Sequence, residues 1–291
     1  MEVSWRGILI HLHIPKNAGT TLSRMVKLRL VSRPPTRLLA HSTVLGKYDV
    51  AGLDKRIDAI ASLPEREQRR VRFFEAHCAF GIHERLPGPH RYMTIIREPV
   101  DRTLSVFGFC KKKGFIDANT TLDQFLDSLP ENPVWQTNDA QIRYLAGERG
   151  VIDTRPVGAV DREMLELAKK RLDEMFFVGV MERFDESVVL LGRQLGWRGL
   201  AYGRSNVNRE RTKPHELDYA QRELILSHNR LDTELYEHAR DLLQRRIDAQ
   251  GPGFAKDVDR FLSRNRRAGV VLKPIYNSLM KARKVLSRSK S

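Results

Sequence analysis

The chain has 291 residues, 41% of them hydrophobic and 30% charged, with a formal net charge of +15. That composition fits a globular, soluble protein with ample core, built as one large domain or two small ones, and not a disordered or fibrous chain. No apolar run approaches the roughly 20 residues of a membrane-spanning helix, and two cysteines, Cys78 and Cys110, cannot build a disulfide framework and read as free thiols.

In "GILIHLHI", Ile8, Ile10, Leu12 and Ile14 fall on one face and Leu9, His11 and His13 on the other, the period of a strand. The run is short and feeds directly into a glycine-bearing turn, so it is not read as a signal peptide, and a cytoplasmic location is expected. "AGTTLSRMVKLRL" follows as a helix with Thr20 or Thr21 near its start, broken by "SRPPTR". "GLDKRIDAIASLPEREQRR" is helical with a stop at Pro64. "VRFFEAH" and "RYMTIIRE" read as strands. "PVDRTLSVFGFCKKKG" starts with a proline suited to a first helical turn. Helices over "TTLDQFLDSL", "NDAQIRYLAG" and "REMLELAKKRLDEM" precede a strand "FFVGVME" and a helix "SVVLLGRQLGW". A long helical stretch, or two helices, runs from "HELDYAQ" to "RRIDA". Strands alternating with helices predict a central, mostly parallel sheet flanked by helices, a three-layer α/β sandwich that binds ligands at its carboxyl edge.

Two segments carry chemistry. "PKNAGTT" offers main-chain N–H groups from a turn, the positive end of a helix, two hydroxyls and Lys16, together an anion site. In a nucleotide-hydrolase loop the lysine follows the last glycine and a hydroxyl holds Mg²⁺; here the lysine comes first and no Mg²⁺-binding aspartate is evident. In "TIIREPVDRTLS", Arg97 ends a strand and Ser105 lies two helical turns on, so both can reach one phosphate. The competing reading of each is ordinary: a strand-to-helix turn, and a surface ion pair between Arg97 and Glu98.

Taken together, these segments resemble the carbohydrate sulfotransferases related to heparan sulfate 2-O-sulfotransferase and their bacterial relatives. "HIPKNAGTT", "FFEAHCAFGIHERL", "REPVDRTLS", "NDAQIRYLAG", "FFVGVMERFDES", "SNVNRE" and "NRLDTELYEHA" come in that family's order over about residues 8 to 240. The resemblance implies a P-loop-NTPase-like fold, a sulfotransferase domain over residues 1–262 and a basic tail over 263–291. The donor it implies is PAPS (3′-phosphoadenosine 5′-phosphosulfate), used without a metal. Lys16, Asn17, Ala18, Gly19, Thr20 and Thr21 would hold its 5′-phosphosulfate, and Arg97 and Ser105 its 3′-phosphate. Lys16 would also face the leaving oxygen, and His77 would be the general base toward a hydroxyl of a carbohydrate or glycolipid acceptor. His83 would contact acceptor or only pack locally. His77, Cys78 and His83 lack the fourth ligand and the paired-cysteine spacing of a zinc site. One of His11 and His13 would line the base of the loop, or both only pack. Arg204 and Asn206 would fold over the nucleotide or lie in a solvated charged loop, and Gln141 and Arg143 would meet the acceptor or lie on a surface helix.

Between Arg264 and Ser291 there are nine Lys or Arg and no acidic residue, interleaved with Val, Leu, Ile, Tyr and Met. That pattern suits an anionic membrane surface, and also nucleic acid, a protein partner or disorder. No nucleic-acid-binding module is recognised before it, so a nucleic-acid partner is not expected. The alternatives to a sulfotransferase are a P-loop-like kinase, which needs ATP and Mg²⁺, and a non-catalytic protein that binds nucleotide without needing His77.

Overall fold

Short apolar runs, each leading through a polar turn into a helix, assemble into a parallel sheet in the computed structural model, which describes residues 7–31, 37–40, 50–129, 134–202 and 212–266. The first half contains β1 (Ile8–Leu12), α1 (Gly19–Val31), β2 (Arg37–Ala40), α2 (Val50–Ala61), α3 (Glu65–Gln68), β3 (Val71–Ala76), β4 (His90–Ile96) and α4 (Pro99–Lys113). The second half contains α5 (Leu122–Asp127), α6 (Val134–Thr137), α7 (Ala140–Ala146), α8 (Arg162–Glu174), β5 (Phe177–Val180), α9 (Phe184–Gln194), α10 (Tyr219–His228) and α11 (Arg230–Asp248). A final helix covers residues 253–266, and Asn265 in it accepts a bond from Tyr202 N at 2.7 Å.

The sheet order is β2-β3-β1-β4-β5, with every neighbouring pair parallel. The chain steps from β1 toward β3 and β2, then returns to place β4 on β1's other side. The boundary between β1 and β4 is therefore the switch point at which such sheets open a ligand crevice. This is the expected α/β sandwich. Among the described residues no helix is long and apolar enough to cross a membrane.

The long C-terminal helical stretch resolves into α10 and α11, broken at Asn229 (φ −133°, ψ 32°), whose amide donates to Ile225 O and Thr137 O. Helix α4 starts as expected: Pro99 occupies its first turn, and the Glu98 carboxylate accepts from Val100 N and Asp101 N. Strand β2 and helix α6, four residues each, are too short to show a period and were not anticipated, nor was the helix over 253–266.

Every residue of β1 is buried, the alternation notwithstanding. A parallel sheet is covered on both faces, so His11 and His13 need partners inside. His11 Nδ1 lies 2.7 Å from Ser23 Oγ, His13 Nδ1 lies 3.0 Å from Glu75 Oε1, and the Lys27 ammonium donates to the other Glu75 oxygen. Ser23 and Lys27 stand one turn apart on α1, so the cluster pins α1 to β1 and β3. Burial, then the neighbouring His13, holds His11 well below the usual histidine value. For Glu75, burial pushes upward, but the His13 bond and the charges of His13 and Lys27 outweigh it, and the carboxyl ends well below its usual range.

Both shifts make acid destabilising. Below about pH 6.5 the unfolded chain takes up a proton on His11 that the folded chain refuses. The Glu75 contribution is complete above its unfolded value, about 4.3, and is lost as pH falls through the folded value. Urea midpoints should therefore drop from neutrality toward pH 5 and drop again below about pH 4. Glu75→Gln leaves Lys27 unpaired in a buried site, which should cost about 3–5 kcal/mol at pH 7 and flatten the lower step. An unchanged midpoint at pH 7 would show that this carboxylate does not hold α1.

Candidate active site

The segments singled out in the sequence follow the carboxyl ends of three adjacent strands. His77 follows β3, the loop with Lys16 follows β1, and Arg97 follows β4. The loop turns into α1 through two non-glycine residues in the left-handed region, Lys16 (φ 71°) and Ala18 (φ 58°). Lys16, Ala18 and Thr20 are half-buried, whereas Asn17, Gly19 and Thr21 are buried. Asn17 N bonds to Ile14 O, and Thr21 N and Leu22 N turn back to Ala18 O. The N–H groups of Ala18, Gly19 and Thr20 are thus left at the open end of α1, where a helix cannot satisfy them itself. Gly19 is required by packing: a Cβ there would sit 2.1 Å from His13 Cδ2 and 2.3 Å from its Nε2. His13 is therefore the histidine that lines the base of the loop, while His11 lies deeper against Ser23.

Arg97, Asp101, Ser105 and Phe109 recur every fourth residue, so Asp101, Ser105 and Phe109 share one face of α4. Both ends of that row touch Lys16. Arg97 Nη1 donates to Lys16 O at 2.6 Å, and the Lys16 ammonium lies 4.3 Å from the centre of the Phe109 ring. Ser105, half-buried between them, therefore faces the loop. Asp101 takes Arg97 Nε and Nη2 at 3.0 and 2.5 Å. These three bonds use three of the guanidinium's five N–H groups. Asp101 and Phe109 escaped notice in the sequence, although the four-residue spacing from Arg97 and Ser105 signals both.

His77 is half-buried, with Nδ1 2.7 Å from His13 O and its ring 4.2 Å from that of His13. A carbonyl oxygen can only accept, so Nδ1 carries the proton and Nε2 holds the lone pair, the tautomer a general base needs. His83 is elsewhere. Its Nδ1 lies 2.9 Å from Tyr92 Oη and its ring 4.4 Å from that of His90, the first residue of β4. Parallel strands put that residue at the opposite edge of the sheet, about 20 Å from the carboxyl ends. Cys78 is buried, and burial pushes its thiol up to about 12, so the residue as it stands is a protonated thiol at neutral pH.

Gln141 and Arg143, read as residues meeting an acceptor or lying on a surface helix, are fully buried. Arg143 spends its donors on Asn138, Arg155 and Pro156 oxygens. Helix α7 carries no exposed face because α6, α8 and α11 all pack against it, the Asp232 carboxylate of α11 accepting from Gln141 N and Ile142 N at 2.9 Å each. Among the described residues, His11, His13 and Glu75 come within reach of a shared metal ion. Lys27 already supplies the positive charge on Glu75, and Ser23 engages His11. Arg204, Asn206 and residues 267–291 lie outside the described residues.

Comparison with known proteins agrees with this geometry. Residues 61–273 match the family described as galactose-3-O-sulfotransferase. The chain is also 24% identical, over 297 aligned positions, to heparan-sulfate 6-O-sulfotransferase 1-B of Danio rerio, an alignment that covers 84% of this chain and 68% of that protein. With most of its length matched by that one family, the chain belongs to the galactose-3-O-sulfotransferase family of carbohydrate sulfotransferases.

Proposed function

We propose that the chain is a PAPS-dependent O-sulfotransferase whose acceptor is a hydroxyl of a carbohydrate or glycolipid. The observation that carries the reading is the α4 row, whose two ends both touch Lys16. It sets the loop after β1 beside the Arg97 end of α4, which supports a donor with a phosphate at its 3′ end and a phosphosulfate at its 5′ end. The motif order that resembles heparan sulfate 2-O-sulfotransferase supports the same donor and reaction class.

When bound, the donor supplies a sulfuryl group activated by its phosphate leaving group, for in-line displacement. The chain's residues do the rest. Arg97 and Ser105 hold the 3′-phosphate. The main chain of Asn17 to Thr21, foremost the open N–H groups of Ala18, Gly19 and Thr20, holds the 5′ end together with the Thr20 and Thr21 hydroxyls. The Lys16 ammonium, resting on a neutral aromatic face, swings to the oxygen where negative charge grows. His77 Nε2 takes the proton of the acceptor hydroxyl, while the bond from Nδ1 to His13 O keeps the ring oriented. No metal has a part in this scheme, because a sulfuryl group carries less charge than a phosphoryl group and Lys16 with the helix end offsets it.

The basic tail supports a cytoplasmic enzyme that touches an anionic membrane surface. Deleting residues 267–291 should abolish co-sedimentation with anionic vesicles; undiminished sedimentation would remove the membrane from the proposal.

Calorimetric titration with adenosine 3′,5′-bisphosphate should show binding without Mg²⁺, weakened at least about tenfold in Arg97→Ala. A preference for ATP with Mg²⁺ would point to a kinase instead. His77→Ala should lower sulfuryl transfer by about 100- to 10,000-fold and leave bisphosphate affinity intact. Lys16→Ala should cost about 100- to 1,000-fold in rate. Full transfer activity in His77→Ala would assign the base elsewhere.

A further inference from the structure

The two anion-binding elements are joined by a buried amide that neither of them contains. Gln141 Oε1 accepts from Arg97 N at 3.0 Å, and Gln141 Nε2 donates to Arg97 O at 2.9 Å. Those main-chain partners can each play only one role, so the orientation of the Gln141 amide is decided. Its Oε1 also accepts from Asn17 Nδ2 at 2.7 Å, and the same Nδ2 donates to Ile95 O at 2.8 Å. One side chain thus grips both peptide groups of Arg97 and, through Asn17, the middle of the loop between Lys16 and Ala18.

Gln141 is itself held firmly. Its own N–H and that of Ile142 go to the Asp232 carboxylate, and Asp232 N donates to Asp139 Oδ1 at 2.8 Å. Asp139 begins α7 with φ 40°. Gln141, Asp232 and Asn17 are all at most 1% exposed. Apart from Asn17 Oδ1, which has no hydrogen-bond partner, the polar side-chain groups of this bridge are paired, and such buried networks fix geometry because each paired member loses heavily if it moves.

We propose that Gln141 is a positioning residue that sets the spacing between the loop after β1 and the Arg97 end of α4, so that a ligand with two phosphate groups meets both elements already in place. This rests on the reading of the two elements as the ends of one donor site. Where the spacing is set in advance, the second anionic group binds without an ordering cost; where it is not, that cost is charged against affinity. Gln141 therefore governs the advantage of a bisphosphate over a monophosphate, and affects each single phosphate little.

The test is calorimetric titration of the full chain with adenosine 3′,5′-bisphosphate, adenosine 5′-monophosphate and adenosine 3′-monophosphate. The variants are Gln141→Met, which keeps the volume and removes the amide, and Gln141→Leu, a second apolar side chain of similar size that also removes it. Circular dichroism identifies any variant that does not fold, and Gln141→Leu carries the test should Gln141→Met fail it. The expected result is a loss of about 10- to 100-fold for the bisphosphate, with the monophosphates changed by less than about threefold. A bisphosphate-to-monophosphate ratio equal to that of the wild type in the folded variants overturns the role of Gln141 and leaves the donor site standing. A wild-type chain that binds no bisphosphate overturns both.

Discussion

A loop bent through the left-handed region at Lys16 and Ala18 is the constraint to which the surrounding structure answers. Non-glycine residues in that region cost on the order of 1–3 kcal/mol each and persist only where neighbours over-determine them. Here the neighbours come from every side. Arg97 holds Lys16 O, the Asn17 amide reaches Ile95 O and Gln141, and Gly19 lies flat against the His13 ring. The bend directs main-chain N–H groups and the end of α1 into one cleft, which a relaxed turn would spread apart.

Behind the loop, buried polar side chains are paired in two clusters, with Asn17 Oδ1 the exception. Glu75 sits among His13 and Lys27 under α1; Gln141 sits between Arg97 and Asn17, backed by Asp232. At the loop itself the Lys16 ammonium lies on the Phe109 ring, and Arg97 keeps two N–H groups beyond those engaged by Asp101 and Lys16 O.

The alternation of strands with helices and the proline in the first turn of α4 were legible because each shows in residues a few positions apart. Periodicity and a proline in a first turn act locally. β2 and α6 were missed for the same reason, since four residues display no period. The C-terminal stretch, read as one long helix or two, is two, broken where Asn229 bonds across to Thr137 O, a partner 92 residues away that no local pattern announces.

The sequence by itself determined the α/β class and the placement of the Lys16 loop at a strand-to-helix turn. Only the tertiary structure decided which polar residues gather at the carboxyl edge of the sheet and which are buried. His77 and His83 stand six positions apart in one motif, yet one follows the carboxyl end of β3 and the other stacks at the amino end of β4. Gln141 and Arg143 have the chemistry to meet a ligand but lie inside, because Asp232 caps α7 from a helix some 90 residues on in the chain. Burial depends on what packs over an element, and the covering elements α1 and α11 come from opposite ends of the chain, so their effect on β1 and α7 cannot be read from either segment alone.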